Sequence, residues 1–190
     1  MSDRRATVTK AVLEIALVAI GVFLGMAADQ WRSDRQHRAQ ARDALQRFRV
    51  EVQANQAAVD KVQDLHANLR TAIAGYLDPN TREKTNLQMN GFQPVVFEHT
   101  AWDLALATQS LADLDPTLAF ELARVYGLQE TYAGHTGGLG QAMYMRPPSE
   151  DMVKFLHSVK IWLDDIVYYE PALAENYTKL LPMIDRALKD

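Results

Sequence analysis

The sequence predicts an all-α protein: an N-terminal transmembrane helix that continues into a long stalk helix, packed in an antiparallel four-helix bundle. Three observations carry this reading. An apolar run, AVLEIALVAIGVFLGMAA, fills the interval between Lys10 and Asp29. No glycine or proline then appears between Trp31 and Gly75. Beyond the run, apolar residues return every three or four positions, the period of a helix with one buried face.

The apolar run has 18 residues and one charge, Glu14. As a helix it would be roughly 27 Å long, close to the hydrocarbon thickness of a bilayer. Trp31 follows where an interfacial aromatic belongs. A cleaved signal peptide, with Gly25-Met26-Ala27 as its small-residue site, and a buried soluble helix are the competing readings. Length and uniformly apolar faces favour the span. On a helical wheel Glu14, Val18, Gly21, Gly25, Ala28 and Arg32 share one face. Gly21 and Gly25 form a GxxxG pattern, which lets two helix backbones approach closely in lipid. An intramembrane acid on that face is costly against lipid and calls for a partner, water or headgroups.

The predicted organisation is a basic tail over residues 1–10, a transmembrane helix over 11–30, a polar neck over 31–44 and a helical soluble domain over 45–190. The first body helix, at about 45–77, buries Leu45, Phe48, Val52, Val59, Val62, Leu69 and Ile73, with Asn55 and His66 in the same register. Asp78-Pro79 and Asn90-Gly91 are turns. Val95-Val96-Phe97 is too short to argue for a sheet. Thr100-Ala101-Trp102-Asp103 resembles a capping box with Asp in place of Glu and opens a helix at about 101–112. Asp115-Pro116 opens another at about 116–132, ended by Gly134, Gly137, Gly138 and Gly140. Pro147-Pro148-Ser149 caps the last helix, at about 149–188, where Pro171 should introduce a kink.

Charge is unevenly distributed. Residues 1–42 carry 7 Lys and Arg against 4 Asp and Glu, whereas 43–190 carry 13 against 20. Basic residues beside an anchor suit anionic lipid headgroups. The acidic body argues against a nucleic-acid partner. There is no cysteine, which removes disulfides, thiolate nucleophiles and Cys-ligated metals.

No catalytic constellation emerges, and no cofactor is implied. The five histidines are scattered, and the residues three before His66 and His157 are Gln63 and Lys154 rather than glutamates. The glycine-rich 134–140 stretch has no preceding strand and no following Lys, so it reads as a helix connection. Trp162, Tyr169 and Tyr177 read as core or as a groove for an apolar ligand or partner helix. Asp164, Asp165 and Glu170 read as a solvated face.

The run Glu14-Ile15, Leu17-Val18, Gly21-Val22 and Leu24, followed by Trp31-Arg32, resembles an uncharacterised bacterial family of single-pass inner-membrane proteins, a domain of unknown function. Thr100 to Thr108, with Leu111 and Leu114-Asp115-Pro116, is similar to a second segment of that family. The resemblance implies an inner-membrane location and a helical body, and no activity.

The expected function is therefore non-catalytic. The chain reads as an accessory subunit or scaffold of a membrane complex, or as a homo-oligomer, touching lipid and an integral membrane partner or a second copy. A periplasmic four-helix ligand-binding sensor is the alternative; against it, no second span follows the body. A short basic N-terminal tail that stays in the cytoplasm would put the body in the periplasm.

Overall fold

The computed structural model describes residues 2–87, 92–147, 149 and 151–189, with side chains from residue 17 onward. Among these there are four α-helices and no strand.

α1 spans Ser2–Leu77 as one unbroken helix of 76 residues. It has two unlike halves. Residues 17–32 are exposed all round, and burial begins around Ala41, Ala44 and Leu45. From there Phe48, Val52, Val59, Val62 and Ile73 face the core. The C-terminus of α1 is closed by the chain that follows it. Arg82 donates from Nε to the Tyr76 carbonyl at 2.9 Å, and Thr81 Oγ1 donates to the Gly75 carbonyl at 2.7 Å. These side chains satisfy carbonyls that a helix end leaves without intrahelical partners. Gly75 is required by close approach, since a Cβ there would lie 2.8 Å from Thr85 Oγ1.

α2 spans Thr100–Ala107, two turns only. The expected capping box does not form, because the residue before the helix, His99, makes no side-chain cap. The first turn is capped from another helix instead: Glu51 Oε2 accepts the Ala101 N–H at 2.7 Å. α2 also ends short of residue 112. Gln109 takes a left-handed φ of 57°, and a 3-10 turn, Ser110–Asp113, follows.

α3 spans Pro116–Tyr144 and is capped as expected, with Asp115 accepting from the Thr117 and Leu118 N–H groups. It does not stop near Tyr132. The helix runs through all four glycines, correcting the helix connection expected there. Each glycine costs a helix about 1 kcal/mol relative to alanine. Burial of Thr136 and Leu139 offsets that cost, and Gly138 lies against α4, where a Cβ would sit 2.7 Å from the Trp162 ring.

α4 spans Met152–Ala187. Its cap is Asp151, which accepts from the Val153 and Lys154 N–H groups, rather than Ser149. The helix continues through Pro171 and Pro182, both on its exposed side.

α4 runs antiparallel to both α1 and α3. Arg49 pairs with Asp185 and Arg70 with Asp164, while Arg124 meets Asn176 and Gly138 meets Trp162. The bundle thus rests on three long helices rather than on two long and two short ones. α2, the 3-10 turn and the extended chain 92–99 close its remaining side against α1. Asn55 docks that chain by a two-way hydrogen bond, donating to the Glu98 carbonyl at 2.9 Å and accepting its N–H at 2.8 Å.

Among the described residues no helix is long and apolar enough to cross a membrane. The span expected over 11–30 includes residues 11–16, whose side chains lie outside the described residues.

Candidate functional site

Two regions of the chain differ from an ordinary helical bundle. The first is the free half of α1. Leu17, Val18, Ile20, Val22, Phe23, Leu24 and Met26 are all more than half exposed and point around the whole circumference. A helix that is apolar on every side belongs inside a core or in lipid. Among the described residues nothing approaches its two glycines: a Cβ built on Gly21 or Gly25 would meet nothing within 4 Å. Val18, Gly21, Gly25, Ala28 and Arg32 are all exposed, and the side chain of Glu14 lies outside the described residues.

The sleeve ends at Trp31, and the Arg35 guanidinium stacks 3.9 Å above its ring. The polar neck follows. It is tied to the body by His37, whose Nδ1 lies 3.1 Å from Asp113 Oδ1. The body then begins, with Arg47 paired to Asp43 and Arg49 to Asp185.

The second region is a string of buried polar groups along the core face of α1. Glu51, Asn55 and His66 are each at most 4% exposed. His66 Nδ1 lies 2.5 Å from Glu170 Oε1, which also accepts the Tyr132 hydroxyl at 2.8 Å. Phe92 stacks on the imidazole, and among the described residues the His66 Nε2 has no hydrogen-bond partner. Nearer the neck, the Tyr126 hydroxyl donates to Glu51 Oε1 at 2.5 Å, and Gln129 donates to the Tyr177 hydroxyl at 2.9 Å. Burial pushes the Tyr126, Tyr132 and Tyr177 phenols well above their ordinary range; the nearby Glu51 and Glu170 push the first two further. These phenols stay protonated and serve as donors. Each carboxylate is used as an acceptor joining helices: Glu51 joins α1, α2 and α3, and Glu170 joins α4, α1 and α3.

Glu170 is therefore not part of a solvated face. Asp164 is, pairing at the surface with Arg70 and Lys160. Of Trp162, Tyr169 and Tyr177, the first two come together against the His135 ring, with the Trp162 centroid 5.9 Å from it. Trp162 covers Gly138, and Tyr169 lies 5.2 Å from the His135 ring, centroid to centroid. Tyr177 is fully buried. The signal for the polar string was present in the sequence, as polar residues at 51, 55 and 66 in an apolar register. Glu170 on α4 and Gln129 on α3 carried the same mark, each at a three-four position between apolar residues. Among the described residues no group of three His, Cys, Asp or Glu could hold a metal ion.

No family model, no curated protein and no solved structure matches the chain.

Proposed function

We propose that this chain is a membrane-anchored, non-catalytic helical protein that holds its bundle at the bilayer surface as an accessory subunit or scaffold of a membrane complex, or as a homo-oligomer. The observation that carries the reading is the apolar sleeve of α1, exposed on every side. Leaving a large apolar side chain in water rather than burying it costs roughly 1.5–3 kcal/mol. Seven such side chains lie between Leu17 and Met26, each more than half exposed among the described residues. Lipid supplies the cover that the bundle does not. The flanking Trp31 and the basic residues on either side suit the two interfaces.

The face carrying Glu14, Gly21 and Gly25 is the proposed contact for a partner helix. Resemblance to single-pass inner-membrane proteins and the short basic tail favour the bacterial inner membrane, with the body in the periplasm. In the body, the buried acids and phenols are spent on joining helices, which suits a structural part better than an enzyme.

The test is purification from membranes in mild detergent after cross-linking. A discrete complex, with either a second protein or a second copy, is expected. Replacing Gly21 and Gly25 by Leu should weaken it. A chain that runs as a bare monomer under both conditions would refute the scaffold reading.

A further inference from the structure

We propose that the neck carries a docking stripe for anionic phospholipid headgroups, and that it leans the body toward one side on the membrane surface. The inference rests on the membrane anchoring proposed above.

At about 100° per residue, Trp31, Arg35, Arg38, Arg42 and Arg49 fall within about 60° of one another around α1. The stripe lies roughly a quarter turn from the buried face that carries Phe48 and Val59. No other residue of α1 between 31 and 49 falls in that sector. Both carboxylates in this stretch lie off it: Asp34 takes the Gln30 amide and Asp43 takes Arg47.

Pairing changes along the stripe. Arg49, at the body end, is held by Asp185. Among the described residues Arg35 has only the Trp31 ring, and Arg38 and Arg42 make no ion pair. A chain whose body is rich in acids thus leaves its neck arginines unneutralised. Arg38 and Arg42 also stand at the mouth of a cavity of about 390 Å³, where Leu45, Leu114 and Leu118 form an apolar floor. The two acids at that mouth are already engaged. Asp113 faces His37, and Asp115 caps α3. The arginines are the charges left free on this side.

Geometry says why a lean is needed. In an upright helix Arg35 would stand about 10 Å, and Arg42 about 21 Å, beyond Ala28. The headgroup layer is only about 5–8 Å deep, and salt screens charges over about 8–10 Å. Upright, Arg42 gains almost nothing from an anionic surface. Tilting the helix toward the stripe, within the roughly 0–40° that membrane helices adopt, brings all three arginines down together. Only one direction of tilt does this, so the stripe sets which side of the body faces the lipid.

The chain has no cysteine, so single labels can be placed without background. In the full chain, a fluorophore goes on Ala39→Cys, at the edge of the stripe, or on Gln40→Cys, on the opposite side. Each is reconstituted into vesicles of phosphatidylcholine alone or mixed with phosphatidylglycerol, with a trace of headgroup-nitroxide lipid as quencher. With phosphatidylglycerol present, quenching at residue 39 should rise about twofold or more while residue 40 stays unchanged; added salt should reverse the rise. Combining A39C with R35Q, R38Q and R42Q should return quenching to the phosphatidylcholine level. Equal responses at 39 and 40, indifference to lipid charge, or an unaltered triple variant would overturn the stripe. If the protein floats with both vesicles and the responses are symmetric, only the stripe fails. If it floats with neither, the anchor fails and the stripe with it.

Discussion

His66 and Glu170 are where single residues matter most. A buried pair is expensive to break, because one partner is left without compensation; the usual penalty is about 3–5 kcal/mol. His66→Leu alone and Glu170→Leu alone should each destabilise the bundle by that order in urea titrations. The double variant should recover part of the loss, since an apolar pair removes the desolvation cost but leaves the buried Tyr132 hydroxyl without its acceptor. If the single changes are neutral, the pair has no structural role. The phenols set a second expectation. Tyr126, Tyr132 and Tyr177 have pKa values raised in the fold, chiefly by burial. The folded state then binds those protons more tightly than the unfolded chain. The resulting stability is intact below pH about 10 and is lost as pH rises above it. Melting temperatures should fall steeply on that alkaline limb, and changing the three tyrosines to Phe should flatten it.

At the scale of elements, α3 shows how packing overrides local preference. Four glycines between 134 and 140 argue for a break, yet the helix continues to Tyr144. They are not equivalent. A Cβ at Gly138 meets the Trp162 ring at 2.7 Å, while one at Gly134 or Gly137 meets nothing within 4 Å. Gly138→Ala should therefore destabilise by about 1–3 kcal/mol. Gly134→Ala and Gly137→Ala should stabilise by about 0.5–1 kcal/mol, because alanine is the better helix former. Opposite signs in chemical denaturation check this; a common sign would contradict the packing of α3 on α4. Long periodic stretches such as α4, and the Asp115-Pro116 start of α3, were legible because period and cap are local. The two-turn length of α2, its cap from Glu51 and the continuation of α3 were not, because each is decided by a contact distant in sequence. Glu170 was misread although Leu163, Ile166, Leu173 and Tyr177 flank it at three-four spacing and mark a core position; what it does there depends on α1 and α3.

For the whole molecule, α1 divides into a part that builds the bundle and a part that, among the described residues, stands clear of it. Residues 17–32 are exposed throughout, and the core begins near Leu45. Deleting residues 1–30 should leave the helical body folded, with a cooperative melt near that of the full chain in detergent. Circular dichroism on both proteins would check it, and a collapse of the truncated chain would mean that the free half supports the bundle. The central claim is that this free half lies in a membrane. Alkaline carbonate extraction of membranes from cells expressing the full chain tests it most directly: retention in the membrane pellet, lost when Val22 is replaced by Asp near the middle of the run, is the predicted result, and release of the unaltered chain into the supernatant would contradict it.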